Sequence, residues 1–369
     1  MRKKVLINAA NLHCGGGVQV AASFISELAN ECIENLEIVI FVSTTVHENV
    51  QGLHFEGNVE LEVVNVNGFS RELPSAFDRH FDLIFTVFGP VYFTVKVKHI
   101  VGFANAWILY PDNETLKRRK FLNKMFTLLK LYLQRRSFQK ADRLVVELEH
   151  VKEELVRKHY FKAENIDVVY NCVSSLYFDE KLWLPLDANI KTTEAVKIGF
   201  LGRNYPHKNT NYLLEIKECL KKIYNIDSEI YVTFTDEEWG AVTPEFKNGA
   251  NNLGSLNVNQ CPAFYQAMDL ILFPSFLECF SATPFEAMLM NKPVFASDKP
   301  FIRDACAEHV FYIDPNDASH GSKVIVDYLR LKADKKEQLL YDAKIYAKNF
   351  SSAKERAENY IKIIKQTLI

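Results

Sequence analysis

The chain has 369 residues, 48% of them hydrophobic and 24% charged, which is ordinary for a globular protein. Its formal net charge of −2 argues against nucleic-acid binding through the whole surface. The seven cysteines are widely spaced and form no CxxC pair, which argues against a zinc cluster or a disulfide framework and favours reduced thiols in a cytosolic compartment.

The N-terminus begins with the basic residues MRKK and continues into an apolar stretch that Asn8 and Asn11 interrupt. No small-residue cleavage site follows, so a first strand is expected rather than a signal peptide. No run along the chain reaches the roughly 18 apolar residues that a membrane-spanning helix needs. At about 150 residues per domain, the length indicates two domains, or three.

Short apolar runs alternate with amphipathic helical patterns through the first half of the chain. The predicted strands there are Val5–Ala9, Glu37–Val42, Val59–Asn65, Leu83–Val87, His99–Ala104, Arg143–Glu147 and Asp167–Tyr170. Such alternation predicts an α/β domain with a parallel sheet and helices on both faces.

The polar stretch Asp187–Glu194 is the best candidate for a linker, and the alternation restarts after it. The predicted strands there are Val196–Leu201, Ile230–Phe234, Leu270–Phe273, Pro293–Ala296 and Val310–Ile313. We therefore expect two doubly wound, Rossmann-like domains, at 1–186 and 195–350, with linker 187–194 and a last helix at 351–369. Ligands of such sheets bind beyond the carboxyl ends of the strands, so the loops there are examined next.

The loop NLHCGGG follows the first predicted strand and opens a helix. Gly15, Gly16 and Gly17 would let the backbone approach a ligand closely, and a helix N-terminus favours an anion. The dinucleotide fingerprint GxGxxG is absent because Val20 occupies the place of its third glycine. A tight turn without a ligand is the alternative, although three successive glycines exceed what a turn requires.

A second loop, FLGRNYPHKN, follows the first strand of the second half. Arg203, His207 and Lys208 cluster there before a helix, and an arginine fork with a lysine suits phosphate oxygens. The alternative is a solvated basic turn in which Asn209 or Thr210 caps the helix. The residues alone leave both interpretations open.

A third loop carries two glutamates in ECFSATPFE. Thr283, Pro284 and Glu286 match a capping box, with threonine at the N-cap, proline at the first helical position and glutamate at the third. Glu278 has no such capping role, and its carboxylate could accept hydrogen bonds from hydroxyl groups. A solvated loop carboxylate is the alternative for Glu278.

A basic stretch runs from Lys117 to Lys140, with nine lysines or arginines and no acidic residue. Apolar residues recur in it at helical spacing, at Phe121, Met125, Leu128, Leu129 and Tyr132. We expect this apolar stripe to face the core of the protein itself. The basic face then remains available to an anionic membrane surface.

Taken in order, these loops resemble the GT-B glycosyltransferases, specifically the retaining family 4 of the glycosyl transferases group 1 type. The motifs that carry the resemblance are GGGVQVAASF, FLGRNYPHKN, LECFSATPFEAM and KPVFASDKPFIRDAC. The ending NFSSAKERAENYIKIIK resembles the family's last helix, which crosses back to the N-terminal domain. The resemblance implies a GT-B fold, in which two Rossmann-like domains face a cleft.

The resemblance also implies an activity. A hexose-type sugar would pass, with retention of configuration and without a metal or cofactor, from a UDP-, GDP- or ADP-sugar to a glycan or lipid-linked glycan. The pathway implied is bacterial surface polysaccharide biosynthesis, such as that of lipopolysaccharide, by a cytoplasmic enzyme peripheral on the inner face of the cell membrane.

Site residues follow from the same resemblance. Glu278 would contact donor-sugar hydroxyls, and Arg203 and Lys208 would contact the diphosphate, so these three are the expected catalytic residues. The residues implied in nucleotide-sugar binding are Gly16, Gly17, Arg203, Lys208, Asn209, Gly254, Ser255, Phe280, Ser281, Ala282 and Glu286.

The chain departs from the commoner family sequence directly after Glu278. Where the commoner family text after the first glutamate is GFG, this chain has Cys279-Phe280-Ser281, which changes the expected shape of the sugar pocket. A catalytically silent relative that binds nucleotide-sugar as a partner or regulator is therefore the alternative function. A two-domain solute-binding protein shares the architecture but needs an export signal, which the N-terminal residues do not resemble.

Overall fold

The structure is a computed structural model that describes residues 2–29, 33, 35–55, 57–67, 75–187, 190 and 193–369. It divides into two compact units. The N-terminal unit comprises Met1–Pro111, Arg119–Cys172 and Ser351–Ile369, and the C-terminal unit comprises Asp112–Arg118 and Val173–Phe350. The predicted linker Asp187–Glu194 falls within the range of the C-terminal unit, and its residues 188–189 and 191–192 lie outside the described residues.

The strands of the N-terminal unit form one parallel sheet in the order β3-β2-β1-β4-β5-β6-β7. Their bounds are β1 (Lys3–Ala9), β2 (Leu36–Val42), β3 (Val59–Val63), β4 (Leu83–Thr86), β5 (Lys98–Phe103), β6 (Arg143–Val146) and β7 (Ile166–Val168). The sheet of the C-terminal unit is also parallel, in the order β10-β9-β8-β11-β12-β13. Its strands are β8 (Val196–Phe200), β9 (Ser228–Val232), β10 (Ala250–Asn252), β11 (Leu270–Phe273), β12 (Val294–Ser297) and β13 (Phe311–Ile313).

The helices run between these strands and after them. They are α1 (Gly16–Ala29), α2 (Thr44–Asn49), α3 (Ala106–Leu109), α4 (Glu114–Lys117), α5 (Phe121–Phe138), α6 (Glu149–Arg157), α7 (Tyr212–Tyr224), α8 (Asp236–Ala241), α9 (Pro244–Gly249), α10 (Cys261–Ala267), α11 (Thr283–Leu289), α12 (Pro300–Cys306), α13 (Ala318–Leu329), α14 (Ala333–Asn349) and α15 (Ala353–Leu368). Within the described ranges, none of them is both long and apolar enough to cross a bilayer.

Both sheets are doubly wound, which confirms the predicted α/β fold class. The strand order reverses between β1 and β4 in one unit and between β8 and β11 in the other. Such a reversal opens a crevice beyond the carboxyl ends of the two strands, because their connections leave in opposite directions. The predicted strands agree with the observed ones to within a few residues, but β10 was missed.

The sheet cores explain why the strands read as apolar runs. Val5, Leu6 and Ile7 on β1 are all fully buried, because a parallel sheet carries helices on both faces. The last helix, α15, packs in the N-terminal unit, where the Tyr360 ring lies 5.0 Å from Phe24. This confirms the expected return of the C-terminal helix.

One short segment joins the C-terminal unit although it lies early in the chain. Glu114 on α4 pairs with Lys299, whose Nζ lies 2.8 Å from Oε1. The Arg118 guanidinium lies 5.4 Å from the centroid of the Phe276 ring, a cation–π contact. Nothing in the sequence pattern of Asp112–Arg118 indicated this placement.

The apolar stripe of α5 corrects one expectation. Only Leu131 and Phe138 on this helix are buried. Seven large apolar side chains are instead 49–74% exposed, namely Phe121, Leu122, Met125, Phe126, Leu129, Tyr132 and Leu133. The expectation that the stripe faces the protein's own core was therefore wrong. At about 100° of rotation per residue, Leu131 and Phe138 lie on the opposite side of the helix, and that narrower side is the one that packs.

Candidate functional site

The strand order of the C-terminal unit reverses between β8 and β11, and this switch point brings two predicted loops together. β8 and β11 are neighbours, with Ile198 opposite Leu270, so the loops that follow them emerge side by side. Lys208 ends the first loop and Glu278 lies in the second, and Lys208 Nζ is 2.6 Å from Glu278 Oε1. The fold thus places two of the three expected catalytic side chains in one ion pair.

The Lys208–Glu278 pair is only slightly exposed, at 15% and 14% of the two side chains. The two atoms are close, but their geometry is not that of a hydrogen bond, so the contact is an ion pair only. The Lys208 ammonium group also lies 5.0 Å from the centroid of the Phe273 ring. Partial removal from water strengthens the attraction between the charges relative to a surface pair. The pair holds one group suited to phosphate oxygens beside one suited to sugar hydroxyls.

His207 completes this cluster. Its Nε2 lies 3.9 Å from Glu278 Oε1, and its ring stacks on Tyr205 at 5.7 Å between centroids. Burial lowers the pKa of His207, and the charge of Lys208 adds to this effect while Glu278 opposes it. The imidazole is therefore neutral at pH 7 and adds no charge to the pair.

Arg203 lies at the end of β8 and is held by a different carboxylate. Its Nε donates to Glu238 Oε1 at 2.8 Å. Glu238 also forms a capping box with Thr235 at the start of α8. Burial alone would raise the pKa of Glu238, but the hydrogen bonds from Arg203 and the Thr235 N–H lower it overall. Arg203 is thus oriented by a carboxylate that is itself fixed to a helix terminus.

Asn209 and Thr210 do not cap α7, so the capping alternative for this loop was wrong. α7 begins only at Tyr212, and the Asn209 backbone is left-handed with φ +54°. Asn209 Nδ2 donates to the carbonyl of Pro315 at 2.8 Å, and Thr210 Oγ1 donates to Asn204 Oδ1 at 2.7 Å. These bonds fix the loop rather than the helix start.

The predicted capping box of Thr283 and Glu286 is also absent. α11 starts at Thr283, so the N-cap falls one residue earlier, on Ala282, which makes no side-chain cap bond. Glu286 then lies one position deeper in the helix than a capping box requires, and its carboxylate turns elsewhere. Tyr265 donates its hydroxyl to Glu286 Oε2 at 2.7 Å, and the Tyr177 ring lies 6.2 Å from the Tyr265 ring between centroids. Burial raises the pKa of Glu286, and the hydroxyls of Tyr265 and Tyr177 oppose that rise.

The loop between Glu278 and Glu286 carries the side chains that stand where the family commonly has glycines. Cys279 is buried, with 5% of its surface exposed, so its thiol is taken up by the interior. Phe280 stacks on Phe285 of α11 at 5.6 Å between ring centroids. Ser281 and Ala282 are half-buried at the entry to the helix.

Gly254 and Ser255 follow β10, at the same edge of the sheet but two strands from β8. Gly254 has φ +79°, and a Cβ there would meet no heavy atom within 4 Å. Ser255 is exposed. The glycine is thus explained by its backbone conformation, and the space around it is open.

The glycine loop lies at the switch point of the N-terminal unit. Asn11 Nδ2 donates to the carbonyl of Phe88 at 2.8 Å, which ties the loops after β1 and β4 together. Gly15 has φ +74°, and a Cβ on Gly17 would lie 3.3 Å from Leu12. Gly16 faces open space, with no positive φ and no close neighbour. The turn alone accounts for two of the glycines but not for Gly16.

Three residues near the site were missed by the sequence reasoning. Tyr177 and Tyr265 carry no spacing signal, because they come from segments far from Glu286 in sequence. Glu238 could have been found, since Thr235 and Glu238 match the pattern of a capping box.

The chain was then compared with known proteins. Residues 187–346 match the family model described as Glycosyl transferases group 1. The matched stretch lies within the C-terminal unit. It contains the Lys208–Glu278 pair, Arg203 and Glu286, and the predicted resemblance to the group 1 type is confirmed.

One curated relative is consistent with the match to this family model. The chain is 25% identical over 220 residues to the O-antigen chain mannosyltransferase RfbU of Salmonella typhimurium, which covers 58% of this chain. The match spans 56% of that relative's length, about half of it.

Solved structures are similar to both units, and not only to the stretch that matches the family model. A glycosyltransferase from Rickettsia africae has a TM-score of 0.68 at 15% identity, covering 100% of this chain and 99% of that one. Anabaena HepE in complex with UDP-glucose also scores 0.68, at 14% identity, covering 98% and 99%. At these identities the similarity bears on the fold, and it confirms the predicted GT-B architecture.

Proposed function

We propose that this protein is a retaining glycosyltransferase that moves a hexose from a nucleotide-diphosphate donor without a metal ion. The observation that carries the proposal is the Lys208–Glu278 ion pair at the switch point of the unit that contains the match to the family model. A donor binding there would exchange that contact for two of its own. Lys208 would turn to a diphosphate oxygen and Glu278 to a sugar hydroxyl.

The chemistry then follows from where charge develops. The bond from the anomeric carbon to the diphosphate oxygen breaks, and its electron pair goes to the leaving diphosphate. Lys208 and Arg203 stabilise that growing negative charge, and Glu278 orients the sugar as it becomes positive. The acceptor hydroxyl forms its bond on the face from which the diphosphate leaves, and its proton goes to the leaving group or to water.

The acceptor is proposed from the relatives. RfbU is an O-antigen chain mannosyltransferase, and the HepE structure holds UDP-glucose. We therefore propose a glycan or lipid-linked glycan acceptor in bacterial surface polysaccharide assembly. A UDP-, GDP- or ADP-sugar is proposed as the donor, to be told apart by experiment.

A thermal-shift panel of UDP-, GDP- and ADP-sugars tests donor binding. A donor at about a hundred times its dissociation constant adds about 2.7 kcal/mol to the free energy of unfolding of the unit that binds it. Turnover with a lipid-linked glycan then separates an enzyme from a silent relative, which would bind donor without transferring it. Glu278→Ala should abolish most turnover, whereas Glu308→Ala, at an 85% exposed side chain, is the matched control. Normal turnover by Glu278→Ala would refute the assignment.

We also propose that α5 holds the protein on an anionic membrane, where such an acceptor would be reached. Its seven exposed apolar side chains fall within about 140° of the helix circumference, at about 100° per residue. Lysines at Lys124 and Lys130 flank this face, and Lys117–Lys140 contains no acidic residue. Apolar insertion and attraction to anionic headgroups would then act together.

Vesicle sedimentation tests the membrane contact. Wild type should bind vesicles that contain phosphatidylglycerol more strongly than pure phosphatidylcholine vesicles. A Phe121→Ser, Phe126→Ser variant should lose most binding to both. The matched control changes Tyr341→Ser and Ile345→Ser, which are exposed apolar residues of the other unit. Equal binding by wild type and the α5 variant would rule this contact out.

A further inference from the structure

Phe276 lies in the loop between β11 and Glu278, and it joins this loop to the one that carries Lys208. Its backbone N–H donates to the carbonyl of His207 at 2.8 Å. Phe276 is buried, with 5% of its surface exposed, and Leu277 next to it is 2% exposed. Contacts that fix Phe276 therefore also fix the backbone two residues before the Glu278 carboxylate.

Two cations lie beside the Phe276 ring. The Arg118 guanidinium is 5.4 Å from the ring centroid, and Lys299 Nζ is 6.0 Å from it. Both distances lie within about 6 Å, the range in which a positive charge is attracted to the face of an aromatic ring. Lys299 is the N-cap residue of α12, and Arg118 directly follows α4. The ring in the Glu278 loop thus contacts cations from two other elements.

A carboxylate links the two elements that carry these cations. Glu114, the first residue of α4, accepts a hydrogen bond from Lys299 Nζ at 2.8 Å, and the two side chains are 29% and 22% exposed. Burial alone would raise the pKa of Glu114, but the hydrogen bond and the charge of Lys299 lower it overall, so the carboxylate is ionised at pH 7. The N–H of Arg118 donates to the carbonyl of Glu114 at 3.2 Å, so both residues belong to one helical turn.

The segment that supplies Glu114 and Arg118, Asp112–Arg118, is itself fixed, and we call it the α4 segment. Asn113 caps α4, because its Oδ1 accepts a hydrogen bond from the N–H of Leu116 at 2.9 Å. Leu116 is fully buried. The segment belongs to the C-terminal unit, although the chain on either side of it belongs to the N-terminal unit. A distant part of the sequence therefore supplies contacts to the loop that carries Glu278.

We infer that the two cations beside Phe276, and the carboxylate that holds one of them, position Glu278 for the donor sugar. The positioning residues are Glu114, Arg118 and Lys299. This inference rests on the proposed function, because it takes Glu278 to orient the sugar during transfer. A displacement of about 1 Å at a reacting group can lower a rate about a hundredfold, so contacts that hold the loop should matter for the transfer step.

The loop that carries Lys208 should be affected less. Asn209, directly after Lys208, donates to the carbonyl of Pro315 at 2.8 Å, and this bond fixes the loop from another part of the C-terminal unit. Variants that lose the contacts at Phe276 should therefore keep their affinity for a nucleoside diphosphate, which Lys208 binds. They should lose rate in the transfer of the sugar, which Glu278 orients.

The test measures kcat for sugar transfer and the dissociation constant of UDP, GDP or ADP, whichever belongs to the preferred donor. Arg118→Met and Lys299→Met remove the charge and keep an apolar side chain, and Glu114→Gln removes the charge that holds Lys299. Each should lower kcat about threefold to tenfold, and the Arg118→Met, Lys299→Met double variant about tenfold to a hundredfold. The dissociation constant should change less than about twofold. Lys299→Arg keeps the charge and should keep kcat within about twofold.

Arg303→Met is the matched control. Arg303 lies on α12, the helix that Lys299 caps, and its Nη2 donates to Asp298 Oδ2 at 2.7 Å. Its guanidinium also lies 4.5 Å from the centroid of the Tyr312 ring. The control thus removes the same two kinds of contact, but at a ring on β13 instead of the ring in the Glu278 loop. Its kcat should stay within about twofold of wild type.

A second measurement separates positioning from support of the fold. In a Glu278→Gln background, Lys299→Met should lower the remaining kcat by less than about twofold, because the carboxylate that it positions is gone. A residue that only supports the fold would cause the same loss in both backgrounds. It would also weaken the binding of the nucleoside diphosphate as much as it lowers kcat.

The outcomes overturn different claims. If wild type transfers sugar and the double variant keeps the kcat of the Arg303→Met control, the inference is wrong and the proposed function stands. Equal losses in kcat and in nucleoside diphosphate affinity, of the same size in the Glu278→Gln background, would also overturn the inference. If wild type binds no nucleotide and transfers no sugar, the proposed function falls, and this inference falls with it.

Discussion

The strand order reverses in the same way in both units, but the residues at the two switch points differ in chemical type. At the crevice between β8 and β11, the Glu278 carboxylate lies 2.6 Å from the Lys208 ammonium and 3.9 Å from the His207 imidazole. At the crevice between β1 and β4 lie glycines and the amide of Asn11, which donates to a backbone carbonyl. The same winding thus provides two places for a ligand, and one of them carries charge.

The difference teaches where to look for each role. Topology decides that loops meet beyond the strand ends, because neighbouring parallel strands release their chains at one edge. Residue type then decides what the meeting place can do. A charged crevice suits a diphosphate, whereas a glycine-lined one allows the backbone to approach a ligand closely.

The largest effect is expected from removing charge at the C-terminal switch point. Lys208→Ala should lower kcat/KM about a hundredfold or more, about 3 kcal/mol, because it removes a cation from the leaving group and leaves Glu278 without its partner. Asn11→Ala at the N-terminal switch point should cost less than tenfold. Steady-state transfer kinetics with the donor found in the panel provide the measurement.

A surface lysine supplies the control for that experiment. Lys323 also pairs with a carboxylate, that of Asp327, but its side chain is 67% exposed, so Lys323→Ala should be silent. Comparable losses for Lys208→Ala and Asn11→Ala would break the contrast between the crevices.

The next largest effect concerns how the free energy of unfolding of each unit changes as the pH falls. His99 on β5 is buried with Thr86 2.9 Å from its Nε2, and burial lowers its pKa to about 4. The folded state therefore resists a proton that the unfolded chain accepts near pH 6.5. The N-terminal unit should lose up to about 3 kcal/mol as the pH falls from 6.5 to 4.

The C-terminal unit contains the opposite case. The pKa of Glu286 is raised by burial, so its folded state binds a proton more readily and gains stability as the pH falls. His207, whose pKa burial also lowers, acts in the same sense as His99 and offsets part of this gain. Hydrogen exchange of the β5 and β12 amides at pH 7 and pH 4.5 should therefore show a larger increase in opening at β5 than at β12. His99→Gln should remove most of that difference. A pH response of equal size in both sheets would contradict this account.

The smallest effect is expected at two glycines with matching backbones. Gly15 and Gly254 have φ of +74° and +79° and open space around the missing Cβ. Alanine at either position should lower the free energy of unfolding by a similar amount, about 1 kcal/mol, because it introduces left-handed strain. The thermal midpoint should fall accordingly. Gly240→Ala, in α8, should show no such loss, because its backbone carries no positive φ.

Ligand binding should distinguish the two glycines even though stability does not. Nucleotide affinity should fall for Gly254→Ala and stay unchanged for Gly15→Ala if the nucleotide is bound by the C-terminal unit. The reverse pattern in a titration would place the nucleotide on the N-terminal unit.

Several features could be predicted from the sequence because their causes are local. A buried parallel strand reads as an apolar run, so β11 was predicted with its observed bounds, Leu270–Phe273. The loops after β8 and β11 were singled out for the same reason, since strand ends locate them. The capping box at Thr283 failed, because a shift of one residue in the helix start moves Glu286 out of the capping position.

The sequence by itself thus determined the fold class, the strands other than β10, and the loops that hold Lys208 and Glu278. Only the tertiary structure decided their partners. Lys208 pairs with Glu278, Arg203 pairs with Glu238, and Glu286 accepts a hydrogen bond from Tyr265. It also left one face of α5 exposed. The physical reason is range: hydrophobic periodicity is read within a few residues, whereas hydrogen-bond partners and buried faces depend on segments that only folding brings together.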